Sequence, residues 1–123
     1  MSDSRVVAVI DDDLAVLDSL KFLLEVVGYA VVAYNSAAAF LDDRVTRPAC
    51  LIVDQHMPLM TGLELVSRLR QSGAYIPTLL ITGASSTRIV AQATLLGLEV
   101  LEKPPTENNL LKFVDAHCAG RDR

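Results

Sequence analysis

Leu51-Ile52-Val53-Asp54-Gln55-His56-Met57-Pro58-Leu59-Met60-Thr61-Gly62 opens as an unbroken apolar run and then meets a carboxylate. Such a run suits a strand covered on both faces, as in a parallel sheet. Pro58 and Gly62 mark the loop that follows, so Asp54 belongs to the carboxyl edge of the strand rather than its interior. In open α/β sheets that edge is where ligands bind.

The flanking sequence repeats the same alternation. Arg5-Val6-Val7-Ala8-Val9-Ile10 is short, apolar and rich in β-branched residues, and it stops at Asp11-Asp12-Asp13. Leu14, Leu17, Leu20, Leu24 and Val27 then recur at helical spacing, with Asp18, Lys21 and Glu25 between them, until Gly28 supplies a stop. Asp13, directly before this run, reads as its cap. Ala30 to Tyr34 predicts a second strand, Ser36 caps a short helix through Leu41, and Arg47-Pro48 leads into the strand that ends at Asp54.

Beyond Asp54, Leu63, Leu65, Val66 and Leu69 predict a helix from Gly62 to Arg70, with Glu64, Arg68 and Arg70 on its polar side. Ile76 to Thr82 predicts a strand with Pro77 at its entry, where no ladder donor is lost. A helix from about Thr87 to Leu96 ends at Gly97, and Leu98 to Glu102 forms a last strand before Lys103-Pro104-Pro105. Thr106 caps a final helix carrying Leu110, Leu111, Phe113 and Val114. Five strand-helix units with short links predict an α/β fold, a parallel sheet with helices on both faces.

Composition narrows the class. At 123 residues, 51% hydrophobic and 21% charged, the chain has the length and apolar content of one self-folding domain. A net charge of −4 without a Lys/Arg cluster argues against direct binding to nucleic acid or an anionic membrane, both of which need a basic face. No apolar run is long enough to span a bilayer, and Met1-Ser2-Asp3-Ser4-Arg5 lacks the order of a signal peptide, so the cytoplasm is the expected compartment. Cys50 and Cys118 have no metal-ligand spacing and read as small, inert thiols.

Parallel strands bring their terminal residues to one edge: Asp11 and Asp12, then Asp54, Thr82 and Lys103. Three carboxylates in a small cleft repel one another, and a hard divalent cation holds them ionised together. Mg²⁺ accepts one or two carboxylates, keeps waters and completes its shell with phosphate oxygens. An ammonium and a hydroxyl supply the remaining contacts to a phosphoryl group, and an aspartate can be the nucleophile that receives it. Asp54 is the candidate nucleophile.

The order and spacing of Asp11-Asp12, Asp54 with Met57-Pro58 and Gly62, Thr82-Gly83 and Lys103-Pro104 resemble the receiver domain of two-component response regulators. The phrases around Met57-Pro58 and Glu102-Lys103-Pro104 are similar to the subgroup joined to helix-turn-helix output domains. The resemblance covers nearly the whole chain and implies one receiver domain over residues 1–123, with the flavodoxin-like strand order 2-1-3-4-5. It implies Asp54 as phosphoacceptor from a histidine kinase or phosphotransfer protein, with Mg²⁺ (or Mn²⁺) as cofactor. Asp12, Asp54 and the backbone carbonyl of His56 would be direct metal ligands, and Asp11 would act mostly through water. Thr82 would be the switch hydroxyl, Lys103 the phosphoryl-binding cation, and Lys103-Pro104 a cis peptide.

At Val100 the family usually has a Tyr or Phe whose ring moves with the threonine, and Pro105 also replaces a common aromatic. His56 and Ala84 occupy positions that flank the phosphoryl group in the family and tune its lifetime; the imidazole of His56 is expected to face solvent. His117 is expected to be inert. Leu95, Val100 and Leu101 suggest a homodimer face on the fourth helix, fifth strand and fifth helix, although Leu101 reads better as core. A haloacid-dehalogenase-like phosphatase would need an acid where His56 stands, and a binding-only receiver would not need all five polar residues. The ending Ala116 to Arg123 is compatible with a tail of a single-domain receiver or with the start of a linker to an output domain.

Overall fold

Ten elements alternate without exception along the chain in a computed structural model that describes residues 3–118. They are β1 (Asp3–Ile10), α1 (Leu14–Val26), β2 (Ala30–Tyr34), α2 (Ala37–Asp42), β3 (Pro48–Asp54), α3 (Gly62–Gln71), β4 (Thr78–Thr82), α4 (Thr87–Leu95), β5 (Glu99–Glu102) and α5 (Glu107–His117). The strands form one sheet in the order β2-β1-β3-β4-β5, and every neighbouring pair is parallel. Most of the polar ending lies outside the described residues.

The period-two alternation of the strands divides the core between two faces. Val7, Val9, Cys50, Ile52, Leu79 and Ile81 point to the side covered by α1 and α5, where they meet Leu17, Leu20, Leu24, Leu110, Phe113 and Val114. Ala8, Ile10, Leu51, Val53 and Leu80 point to the other, covered by α2, α3 and α4 through Phe40, Leu65, Val66, Leu69 and Ala93. Central strands are buried on both faces, which is why their sequences read as continuous apolar runs.

Local chemistry sets the element ends. Asp13 caps α1 by accepting from the backbone N–H groups of Ala15 (3.0 Å) and Val16 (3.3 Å), and Ser36, Ser86 and Thr106 cap α2, α4 and α5. Thr61 and Glu64 form a capping box at the start of α3, each side chain accepting from the other's backbone N–H. Gly28 (φ 106°) and Gly97 (φ 75°) take left-handed conformations just after α1 and α4.

Three expectations change, and the reading of the cysteines as small packing thiols gains a contact. Helical spacing predicts Leu14 on the buried face of α1, yet it is 61% exposed, because the first turn stands at the level of the sheet edge where no strand remains to cover it. β4 begins at Thr78, later than the apolar run suggests: Ile76 turns its carbonyl to the Thr78 hydroxyl (2.8 Å) and an Arg70 guanidinium nitrogen (3.3 Å). Arg70 is therefore a fastener, also donating to the carbonyls of Ala74 (3.1 Å) and Leu96 (3.4 Å). Cys50 and Cys118, both buried, meet with their Sγ atoms 3.1 Å apart; that contact and burial push the Cys50 thiol up, so it stays a neutral packing group.

In the loop that leaves Asp54, Leu59 is fully exposed and has φ 71°, a conformation that side chains other than Gly and Asn rarely adopt. At the end of this loop Gly62 starts α3 against β3. A Cβ there would lie 2.6 Å from Leu80 Cδ1 and 2.8 Å from the backbone oxygen of Asp54. The absence of a side chain is what lets the helix sit directly on the strand end that carries Asp54. Gly62→Ala is expected to destabilise the fold by about 1–3 kcal/mol through overpacking, measured by urea denaturation; a midpoint unchanged from the parent would show that α3 moves aside without cost.

Candidate functional site

Each polar residue at the carboxyl edge arrives on its own strand. Asp11 and Asp12 follow β1, Asp54 is the last residue of β3, Thr82 the last of β4, and Lys103 follows β5. The strand-end residues singled out by the sequence therefore become neighbours, and the sheet order explains how: β1 and β4 both border β3.

The acids are not equivalent. Asp11 is buried and accepts from the Asp13 backbone N–H at 2.9 Å, Asp12 is exposed, and Asp54 is 3% exposed. One carboxylate oxygen from each of the three lies within 4.8 Å of the others. Asp13, committed to capping α1, stays out of the cluster. Lys103 Nζ lies 2.6 Å from Asp54 Oδ1, a close ion pair to a buried carboxylate. One ammonium offsets only part of the negative charge of the three converging acids, which leaves the cluster suited to a further cation.

Electrostatics agrees with this arrangement. Burial, followed by the charge of Asp54 and then of Asp12, holds the Asp11 carboxyl above its ordinary value, against the pull of the Asp13 backbone N–H and Lys103. The Asp54 carboxylate, and more distantly Asp11 and Asp12, push the Lys103 ammonium up, so it remains charged. The peptide bond between Lys103 and Pro104 is cis, as expected. The Lys103 backbone N–H donates to the Thr82 carbonyl at 2.9 Å, which fixes the lysine beside the end of β4.

Thr82 is fully buried, and its hydroxyl is engaged by the loops on either side. Oγ1 lies 3.2 Å from His56 Nε2, accepts from the Ala84 backbone N–H at 3.3 Å, and is 3.3 Å from the Ala84 carbonyl. The expectation that the His56 imidazole simply faces solvent is thus corrected: the residue is exposed, but its ring reaches back to Thr82. Ala84 touches Thr82 through its backbone. Val100 is half-buried in β5 opposite Leu80.

Gln55 was not singled out by its sequence. Its backbone N–H donates to the Ile81 carbonyl (2.8 Å), its carbonyl accepts from Gly62 (3.2 Å) and its side-chain oxygen accepts from Leu63 N–H (2.9 Å). It folds the loop after Asp54 onto the start of α3. No periodic signal marks such a residue, although the Thr61-x-x-Glu64 pattern beside it is a readable cap signature.

Hard oxygen ligands, an adjacent ammonium and a hydroxyl form an edge suited to a divalent cation and a phosphoryl group. Residues 7–115 match the response regulator receiver domain family. The chain belongs to this family. The receiver is 44% identical over 118 residues to the transcriptional regulatory protein FixJ of Azorhizobium caulinodans, covering 94% of this chain and 56% of FixJ. It is 38% identical over 120 residues to the response regulator protein TodT of Pseudomonas putida, covering 94% of this chain and 52% of TodT. The crystal structure of FixJ-N has a similar fold, with a TM-score of 0.82 at 32% identity, covering 94% of this chain and 93% of that one.

The receiver spans about half the length of the curated relatives it matches. Its place is in two-component signalling, in a family that generally binds Mg²⁺ at an acidic pocket and takes phosphoryl groups from histidine kinases. Among the described residues, no helix is long and apolar enough to cross a membrane.

Because the Asp11 carboxyl is held up, its ionisation opposes folding: the penalty is absent below the ordinary carboxyl value and sets in as pH rises through the raised one. Asp11→Asn retains an acceptor for Asp13 N–H and removes the charge. It is expected to raise the thermal midpoint near neutrality without divalent cation, with the difference shrinking in mild acid. The variant should also lose the stabilisation that millimolar Mg²⁺ gives the parent by mass action. A lower midpoint for the variant near neutrality would contradict this account.

Proposed function

We propose that Asp54 is the phosphoacceptor of a single receiver domain formed by residues 1–123, and that a histidine kinase or phosphotransfer protein is the donor. One observation carries the reading: a buried Asp54 carboxylate paired at 2.6 Å with the Lys103 ammonium, within a set of three converging carboxylates. An Asp54 oxygen attacks phosphorus in line, the bond from phosphorus to the donor nitrogen breaks, and the donor imidazole leaves with its electron pair.

Asp12, Asp54 and the His56 backbone carbonyl would hold Mg²⁺ or Mn²⁺, with Asp11 acting mostly through water. The bound cation would neutralise the carboxylates and the phosphoryl oxygens. Lys103, already paired with Asp54, shifts its ammonium to a phosphoryl oxygen, and Thr82 donates its hydroxyl to another. The added charge biases the loops around Thr82 and Val100 between two states. Val100 has no ring to swing into the space Thr82 vacates, so readout at β5 rests on backbone and packing changes. His56 and Ala84, both in contact with Thr82, are placed to set how readily water reaches the acyl phosphate.

Intact-protein mass spectrometry with acetyl phosphate tests this chemistry. The expected result is a Mg²⁺-dependent gain of one phosphoryl group by the parent and none by Asp54→Ala. No gain by the parent with Mg²⁺ bound would overturn the phosphoacceptor reading.

The relatives and the net charge support a reading of the output. FixJ is a transcriptional regulatory protein, and a receiver with net charge −4 is suited to control an output domain or partner rather than touch DNA itself. Leu95, 87% exposed on α4, supports a face for a second copy made from α4, β5 and α5, whereas Leu101 packs against the core on the α1 and α5 side. Sedimentation with acetyl phosphate and Mg²⁺ should show a dimer that Leu95→Glu weakens at least tenfold, the effect of about 1.4 kcal/mol. A monomer under phosphorylating conditions would exclude this face.

A further inference from the structure

Thr82 Oγ1 has a single proton to give and several neighbours that compete for it. The Ala84 backbone N–H donates to the oxygen, the Ala84 carbonyl stands 3.3 Å away as an acceptor, and His56 Nε2 stands 3.2 Å away on the other loop. If Nε2 carries hydrogen, it fills the second lone pair of Oγ1 and leaves the threonine proton to the Ala84 carbonyl. If Nε2 is bare, it takes that proton itself. In either tautomer the hydroxyl is held between the β3–α3 and β4–α4 loops and is not available to a phosphoryl oxygen.

We infer that His56 is a positioning residue that clasps Thr82 in its resting rotamer and passes the release of that hydroxyl to the loop between β3 and α3. The release step rests on the reading of Thr82 as the hydroxyl that moves onto the phosphoryl group. Two further observations support the second half. Val100 offers no ring to follow Thr82, so the neighbour in contact with the hydroxyl is the one left to register its departure. The next link is continuous: His56 follows Gln55, whose backbone and side chain hold Gly62 and Leu63 at the start of α3. A displaced imidazole therefore acts on a loop hydrogen-bonded to a helix, a route on the β3 side of the sheet rather than along β5.

The clasp can be tested without phosphorylation. Three-bond NMR couplings of the Thr82 side chain report its rotamer in the parent, His56→Ala and His56→Gln. One dominant rotamer is expected in the parent. The minor rotamers should rise about two- to tenfold in His56→Ala, the factor that one neutral hydrogen bond is worth, and be partly restored by the glutamine amide. Unchanged couplings in His56→Ala would overturn the clasp, whatever happens at Asp54.

The release step is read from the rate of phosphorylation by acetyl phosphate with Mg²⁺. His56→Ala should accelerate it by a similar factor, and the acceleration should disappear in the background of Thr82→Ala. An acceleration that persists at full size without the threonine hydroxyl would show that His56 acts on solvent access or the donor instead, and would overturn the proposal. A parent that acquires no phosphoryl group would refute the Asp54 reading and the release step with it, while the couplings still decide the resting clasp.

Discussion

Everything at the carboxyl edge depends on one ion pair that reaches across a strand. β3 delivers Asp54 and β5 delivers Lys103, with β4 between them, and the 2.6 Å contact closes that span. Two buried carboxylates at the separations found here repel by an amount on the order of a few kcal/mol. A single ammonium offsets part of that repulsion but leaves a surplus of negative charge. The edge is therefore built for an additional cation and for the oxygens of a tetrahedral anion, and the rest of the fold holds these groups in register.

The scaffold achieves this with ordinary means. Alternating apolar strands commit one set of side chains to α1 and α5 and the other to α2, α3 and α4, so the sheet cannot slip without turning its core outward. Gly62 brings α3 close enough to fix the end of β3. Lys103 N–H donates to the Thr82 carbonyl, so the lysine backbone is set by the same strand end that presents the Thr82 hydroxyl.

The fold was legible in the sequence to a large extent because these devices are local or periodic. The apolar run into Asp54, the stop glycines and the cap at Asp13 each act over a few residues, and five strand-helix units in sequence leave little choice of architecture. Strand-end acids were legible for the same reason: parallel topology converts their position along the chain into proximity. What escaped reading depends on distances that no local pattern encodes. Leu14 satisfies helical spacing but lies where the sheet has ended. Arg70 resembles a solvated charge until three carbonyls, two from the loop before β4 and one from the end of α4, converge on it. The imidazole of His56 finds Thr82, 26 residues away, only because β3 and β4 are neighbours. Cys50 and Cys118 meet across a far longer gap, 68 residues, and their spacing alone carries no sign of it.

The way α4 is attached bears on where the domain yields first. Of its nine residues only Ala93 is buried, whereas α3 buries five of ten, and the carbonyl of Leu96 just beyond α4 is tied back by Arg70. A helix with so little buried apolar surface opens at a small fraction of the free energy needed to unfold the whole sheet. Its amide hydrogens are expected to exchange before those of the sheet, and rearranging it disturbs little of the core. The same economy separates two kinds of stability within one chain: a rigid sheet that keeps the charged edge assembled, and a loosely seated helix next to the Thr82 loop that can change its position many times without the protein ever approaching denaturation.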